Sequence, residues 1–397
     1  MATLEAATSV LMVLEATFPV LGGGGAESQV MNLGRSLVGR GFRVDVVVPM
    51  TPNGPTLEHE LCAGLRITRI KYPRIRFLGG TIMLAKLALL LVARRRSYAA
   101  IHAHIGGNMA AVTSLVGRTL GIPVIVKLTG MKEMNGGVLD GSPGFFNWLK
   151  GVAIRQASFV QATSSRIGNL LVDRGFESSR VLLLPNGVDM DRFAALCDPE
   201  LRRRWCGSAQ LVGLFIGRLA AEKGHELLLR AWASVFVGRS DVRLLLVGDG
   251  PLWNSLHDLA AQLRIDEQVV FAGHADDVSP FIALADVALL TSHAEGLSNA
   301  LLECMAGGLP VVGSRISGTE DFVVSGETGW LFEPGRSDQL ADCLALVAAA
   351  GTSELTRLGQ AGRQRINVSA SMKAVTDKLI DHYGVAEAID TGVLPAS

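Results

Sequence analysis

Short apolar, β-branched runs alternate with helix-patterned segments along most of the chain, and part-way along it the alternation starts over. This pattern predicts parallel strands joined by crossover helices, because a parallel neighbour cannot be reached by a hairpin. In the first half the predicted strands are Val10–Glu15, Arg43–Val48, Ile67–Ile70, Ala100–His102, Val124–Leu128, Phe159–Ala162 and Val181–Leu184, with helices starting near Ala26, Thr81, Gly107, Phe145 and Ser165. In the second half strands are predicted at Leu211–Ile216, Arg243–Val247, Val269–Ala272, Val287–Thr291 and Val311–Gly313. Helices at Glu226–Phe236, Leu252–Leu263 and Val278–Leu284 separate them. The turn-forming cluster Pro185-Asn186-Gly187-Val188-Asp189 and the Arg-rich stretch to Trp205 lie between the halves. Two doubly wound α/β domains follow: residues 1–185, a hinge 186–206, and residues 207–370. Residues 371–397 are expected to form a helix that packs back on the first domain, with a frayed end from Thr391 to Ser397. Such domains bind ligands at the carboxyl ends of their strands, and two of them facing each other share a cleft.

The composition removes several classes of function. Formal net charge is +0, which leaves no overall electrostatic footprint for nucleic acid. Cys62, Cys197, Cys206, Cys304 and Cys343 are scattered, odd in number and without metal-ligand spacing, as expected in a reducing compartment. No basic segment precedes the first apolar stretch, so no signal peptide is expected. The most lipid-like run, Gly79 to Ala93, is interrupted by Lys86 and too short to span a bilayer. The expectation is a cytoplasmic protein, soluble or peripheral at the inner membrane face.

Chemistry concentrates between Thr291 and Val312. The run Asp286–Leu290 reads as a buried strand, Ala300–Ala306 as a helix, Gly307-Gly308 as its stop, and Pro310-Val311-Val312 as the next strand. Glu295 therefore sits on the loop leaving a strand, and Glu303 lies inside the following helix. The amides of Leu297, Ser298 and Asn299, next to Gly296, form a helix N-terminus between them, a seat for an anion. Carboxylates on either side of an anion seat suit a ligand with hydroxyls at both ends and phosphates between, as in a nucleotide-sugar. The plainer alternative is a solvated loop acid and an exposed helix acid.

Two other strand-end loops bear on the same ligand. Gly217-Arg218-Leu219-Ala220-Ala221-Glu222-Lys223-Gly224 follows the first strand of the second domain, and its two cations can converge on one diphosphate. Gly22-Gly23-Gly24-Gly25-Ala26-Glu27 follows the first strand of the chain and opens a helix, which offers backbone amides to a phosphate or an acceptor. A dinucleotide fingerprint fits this run poorly, since its third glycine falls on Glu27 and the second strand does not end in an acid. The remaining alternative for the run is a flexible turn.

The runs GRLAAEKG and EGLSNALLECMAGGLPVV, the hinge PNGVD and the N-terminal GGGGAE together resemble glycosyltransferase family 4, retaining enzymes of the GT-B fold with two Rossmann-like domains. The resemblance covers nearly the whole chain in the right order. It implies transfer of a hexose-type sugar from a nucleoside diphosphate sugar, a UDP-sugar first, to a hydroxyl of a glycan, glycolipid or small molecule. It further implies that Glu303 binds the ribose and Glu295 the donor sugar. Arg218 and Lys223 would hold the leaving diphosphate, and Gly273 and His274 would border the nucleobase. No cofactor and no metal are expected. Attack from the front face, with the departing phosphate taking the acceptor proton, would retain configuration.

One departure from that pattern concerns the first domain. Many relatives carry a histidine after the Pro-Val-x-Val strand, whereas this chain has Thr129, which cannot act as an ionisable base. His102 and His104 end the preceding strand. For His102 packing within the sheet is the preferred reading, while His104 is open to either role. His225 and His293 border the site loops and are expected to support them. Asp189-Met190-Asp191 spells a metal-binding DxD but falls in the hinge, so no metal role is assigned. The cluster Ile82–Arg96 is read as a buried crossover helix, with contact at a membrane surface as the alternative. Other readings of the whole chain are a sugar-nucleotide epimerase of the same fold and a binding subunit without turnover. A phosphorylase would need a cofactor lysine that is not identifiable.

Overall fold

The computed structural model describes residues 9–19, 24–76, 78–130, 144–194 and 196–384. Gly22 and Gly23 of the glycine run, and the tail expected to fray, lie outside the described residues. The chain divides into two compact units, one ending at Gly187 and rejoined from Met372, the other Val188–Ser371.

The first unit is built on β1 (Ser9–Val13), β2 (Arg43–Pro49), β3 (His59–Cys62), β4 (Leu65–Ile70), β5 (Ala100–Ala103), β6 (Val124–Leu128), β7 (Phe159–Ala162) and β8 (Val181–Leu183). Their order is β3-β4-β2-β1-β5-β6-β7-β8, and every pair is parallel except β3 with β4. That antiparallel edge strand is absent from the expected elements. Its turn is Ala63-Gly64, both with positive φ (52° and 82°), so the hairpin lacks the Asn-Gly signature that marks such a turn in a sequence.

One face of this sheet buries Met83, Leu87 and Leu91 of the helix Leu78–Ala93 together with Met109, Ala110, Ile154 and Leu171 from the helices beyond it. The helices Gly25–Val38 and Met372–His382 cover the other face. Three polar links fix the second arrangement. The Gln29 amide exchanges two 3.0 Å hydrogen bonds with the Gly187 backbone, Ser36 Oγ meets Thr376 Oγ1 at 2.9 Å, and Tyr383 Oη meets His102 Nδ1 at 2.8 Å.

The expected burial of the crossover helix is corrected here. Leu78–Ala93 buries one stripe only, and Leu78, Leu89 and Val92 on the opposite side are exposed. An apolar circumference predicts burial all round only if neighbours cover both sides. This helix packs its inner stripe on the sheet while its outer side meets no layer among the described residues of the same unit.

The second unit has β9 (Leu211–Ile216), β10 (Val242–Val247), β11 (Val269–Gly273), β12 (Val287–Leu290), β13 (Val311–Ser314) and β14 (Gly329–Phe332), all parallel, in the order β11-β10-β9-β12-β13-β14. β14 and the helix Ser337–Ala349 that follows it are not among the expected elements. A four-residue strand lies at the lower limit of what pattern can reveal.

The centre of the sheet is fixed by a close approach. Gly213 lies mid-strand in β9, where a β-carbon would fall 2.8 Å from the Trp232 ring, and Trp232 is wholly buried. The indole Nε1 donates to Gln268 Oε1 at 2.9 Å, and Gln268 Nε2 donates to the carbonyls of Phe236 (2.7 Å) and Arg239 (2.8 Å). One buried amide thus pins the helix His225–Phe236, whose N-terminal end carries a site loop. Gln268→Leu would strand a buried N–H, at a cost of about 1–3 kcal/mol. Chemical denaturation is expected to show that loss, and a shift below about 0.5 kcal/mol would mean that packing alone holds the helix.

Candidate functional site

In an open parallel sheet the ligand crevice lies where the strand order reverses, outside the carboxyl ends. In the second unit the chain runs outward from β9 through β10 to β11, then returns to β12 on the other side of β9. The loops after β9 and β12 therefore diverge at the switch point, and these are the loops that carry Arg218, Lys223 and Glu295.

Their approach is enforced by backbone. Gly224 has φ +70°, and a β-carbon on it would lie 2.2 Å from the Thr291 carbonyl oxygen, so no other residue fits. Thr291 Oγ1 donates to the Lys223 carbonyl (2.9 Å), and the His293 amide donates to the Glu222 carbonyl (2.9 Å). With the loops joined in this way, Lys223 Nζ reaches Glu295 Oε1 at 2.8 Å, and both side chains are mostly buried. Ser292 Oγ donates to the same carboxylate oxygen. Arg218 pairs with Glu222 on the exposed side of the loop. His225, packed 4.4 Å from the Phe215 ring, is held down to about 4 by burial and is neutral at physiological pH.

The helix Asn299–Ala306 begins beside Glu295. Its N-cap, Ser298, makes no side-chain cap bond and its first turn carries no acid, which preserves the positive end of the helix for an anion. Gly318 (φ +81°) lies so close to the Gly296 carbonyl that a β-carbon would stand 2.5 Å from it, and this contact sets the course of the Gly296-Leu297 backbone. Glu303 lies inside the helix, and burial pushes its carboxyl up against the opposing pull of Arg192 and with the push of Asp277. Arg192 Nη2 bonds Asp277 Oδ1 at 2.9 Å.

Three strands reach the site edge as glycines. Gly217, Gly248 and Gly273 have φ of 155°, 143° and 75°. A β-carbon on Gly248 would strike the Gly217 carbonyl oxygen at 2.0 Å, whereas one on Gly273 would meet nothing within 4 Å. The surface at Gly273 is thus open backbone, and His274 beside it pairs with Asp276 at 3.3 Å. Asp189 Oδ1 accepts from the amides of Asp191 (3.1 Å) and Arg192 (3.3 Å), a turn-forming use of the DxD. Among the described residues no group of three His, Cys, Asp or Glu could hold a metal ion.

Comparison with known proteins bears on this arrangement. The family profile "Glycosyl transferase 4-like domain" matches residues 24–187, and "Glycosyl transferases group 1" matches residues 210–349. The chain belongs to glycosyltransferase family 4. It is 26% identical over 328 residues to N-acetyl-alpha-D-glucosaminyl L-malate synthase of Bacillus anthracis, covering 82% of this chain and 84% of that one. With 2-deoxystreptamine glucosyltransferase of Streptomyces kanamyceticus the identity is 27% over 379 residues, or 89% and 97% of the two chains. The crystal structure of Anabaena HepE in complex with UDP and glucose superposes with a TM-score of 0.74 at 20% identity, covering 97% of this chain and 100% of that one. The fold is GT-B.

In this family 4 chain the first unit brings different residues to its own sheet edge. His104 follows β5 and is buried, its ring stacked 4.2 Å from that of His102. Burial and Lys127 hold both imidazoles down, His102 to about 3 against an opposing hydrogen bond with Gln161, and His102 adds to the effect on His104, so both are neutral at physiological pH. Thr129 follows β6 at the same edge. Gly24 is extended and caps the helix Gly25–Val38, but the Glu27 carboxylate folds over it, and a β-carbon on Gly24 would sit 1.7 Å from Glu27 Oε2. The start of that helix already has a carboxylate against it.

Several supporting residues escape a reading of sequence alone. Glu15, beyond β1, accepts from Asn108 Nδ2 (2.8 Å) and the Met109 amide (2.9 Å), capping the helix Asn108–Leu120. Arg192, Asp277, Gly248 and Gly318 are also missed. The only signal for any of them is the recurrence of glycine at strand ends.

The pH dependence of Glu303 follows from its surroundings. A carboxyl raised on folding favours the folded chain below the unfolded value, and that contribution is lost as pH rises through the folded one. Glu303→Gln is expected to raise the melting temperature near neutral pH, with the gain shrinking below the ordinary value of 4.5. A variant less stable than the parent at neutral pH would contradict this account.

Proposed function

We propose that the protein transfers a hexose-type sugar, with retention, from a nucleoside diphosphate sugar to a hydroxyl of a glycan, glycolipid or small molecule, and that a UDP-sugar is the donor. The observation that carries this reading is the convergence, at the switch point of the second sheet, of the Arg218–Lys223 loop, Glu295 and an uncapped helix start with Glu303 one turn inside it. HepE, a relative in fold, holds UDP and glucose, which supports the choice of donor.

In this reading the diphosphate lies over the amides of Leu297, Ser298 and Asn299. Arg218 chelates its oxygens and Lys223 adds a point charge. The Arg218–Glu222 pair is largely exposed, and such pairs are worth about 0–1 kcal/mol, so a polyphosphate displaces Glu222 at little cost. Lys223 turns from Glu295 to the phosphate, and the freed carboxylate accepts from hydroxyls of the sugar. Glu303 accepts from the two ribose hydroxyls, and Gly273 and His274 border the base. Gly24, Gly25, His104 and Thr129 line the acceptor side. As the glycosidic bond to the leaving oxygen breaks, charge develops on the diphosphate, and these cations and amides stabilise it. The acceptor oxygen bonds the anomeric carbon on the same face, and its proton passes to the departing phosphate. No cofactor and no metal take part, and the reaction belongs to the cytoplasm or the inner membrane face.

Release of nucleoside diphosphate from a panel of UDP- and GDP-sugars is the direct test, and release from none of them would leave a binding subunit or an epimerase. Arg218→Ala and Lys223→Ala are each expected to lower turnover by about 10²–10³. Turnover is expected to survive EDTA; loss restored by magnesium would overturn the metal-free reading.

The two glutamates separate in a calorimetric titration. Glu303→Gln is expected to weaken nucleoside diphosphate binding by about 1.5–3 kcal/mol, the worth of charge-assisted hydrogen bonds. Glu295→Gln should bind the diphosphate at least as well as the parent, because the carboxylate touches only the sugar and its loss frees Lys223, yet turn donor over poorly. Equal loss of diphosphate affinity in both would refute the division.

A further inference from the structure

The outer side of the helix Leu78–Ala93 is apolar and is not covered by any element among the described residues of its unit. Leu78, Ala85, Leu89 and Val92 share one stripe at helical spacing, opposite the buried stripe Met83, Leu87 and Leu91. Leu89 is 69% exposed. The helix packs against Asn108–Leu120, and that one against Phe145–Ile154, so the three form one layer on the sheet. On the outer side of the neighbours Leu115 and Leu149 are exposed as well. Single exposed leucines are ordinary, but a run of them across adjacent helices marks a surface with a partner.

Charge identifies the partner. From Leu61 to Lys132 the chain has twelve Lys and Arg and neither Asp nor Glu, in a protein whose formal net charge is +0. Arg69 and Lys127 of this set are buried in the sheet. Lys86, Arg95, Arg96 and Arg118 are exposed on the helices or at their ends. None of the three helices carries a carboxylate, and Lys86, Arg118 and Lys150 are their charged residues. An acid-free layer with leucines at its outer side and arginines at its margin is complementary to an anionic interface with hydrocarbon beneath it. No helix among the described residues is long and apolar enough to cross a membrane, so contact would be from one side.

We infer that the outer side of the helices Leu78–Ala93, Asn108–Leu120 and Phe145–Ile154 docks on an anionic lipid bilayer, with Leu89 and Val92 entering the interface and Arg95, Arg96 and Arg118 meeting headgroup phosphates. This surface lies in the first unit and the donor residues in the second, so the inference stands apart from the transferase reading.

Flotation of the full-length protein with phosphatidylcholine vesicles, with and without phosphatidylglycerol, tests it. Binding is expected only with phosphatidylglycerol and is expected to fall as salt rises. Arg95→Glu with Arg96→Glu should weaken it by at least roughly fivefold per cation, while lysine at both positions retains it. Leu89→Glu should abolish it without unfolding the chain, since the side chain is exposed. No flotation with anionic vesicles, or equal flotation of the reversed variant, overturns the proposal. So does a dimer in sedimentation that Leu89→Glu dissociates, which would assign the face to a second copy. UDP titration of the unsubstituted protein separates the two readings: absent flotation with measurable UDP affinity sinks the docking face alone, and flotation without diphosphate release from any donor sinks the transferase alone.

Discussion

The second unit depends on the contact between Gly224 and the Thr291 carbonyl. Two strand-end loops that diverge in topology are pressed together there, with a β-carbon's width removed and a positive φ at the same residue. The hydrogen bonds from Thr291 and His293 close the contact on either side. Without it, Lys223 and Glu295 would belong to separate loops and their 2.8 Å pairing would be a matter of chance. A substitution at Gly224 would act on the site through geometry although it removes no functional atom, which is how a displacement of an ångström becomes a large loss of rate.

Most of the sheet was legible because buried parallel strands are continuous apolar runs, and β6, β7 and β9 begin and end at the predicted residues. What sequence reading missed has physical reasons. β3 pairs through an Ala-Gly turn that lacks the usual residues, and β14 is four residues long. The apolar circumference of Leu78–Ala93 was legible, but burial depends on which neighbours arrive, and periodicity carries no information about them. In the site, Arg218, Lys223 and Glu295 stood out as charges on strand-end loops, and Glu303 as a carboxylate within an otherwise apolar helix. Arg192 and Asp277 did not, since each is an ordinary surface charge until the fold sets them near Glu303. Gly248 and Gly318 matter only for the backbone they admit.

The first unit shows where chemistry is withheld. Its two histidines are buried and stacked, and neutral imidazoles beside Lys127 are poor proton acceptors. Thr129 has no ionisable group. The start of the helix after the glycine run faces the Glu27 carboxylate, and Glu15 caps the helix Asn108–Leu120. Neither the two histidines nor Thr129 is suited to the role of base, which agrees with a proposed reaction that places its proton transfer on the donor's own phosphate.

The charges of the second unit are arranged to be exchanged. Lys223 is neutralised by Glu295 and Arg218 by Glu222, so the folded unit carries no bare cation on either loop. Phosphate is a doubly suited competitor, since it offers each cation more than one oxygen and is also attracted to the uncapped helix start. Under the proposed mechanism the exchange couples two events. Lys223 cannot reach the diphosphate without releasing Glu295, and the released carboxylate is left partly buried with Ser292 as its remaining partner. A buried carboxylate stripped of its cation is costly, and sugar hydroxyls relieve that cost where a bare nucleoside diphosphate cannot. The ion pair therefore favours the intact donor over its product, which is the direction of discrimination a transferase requires if spent diphosphate is not to occupy the site.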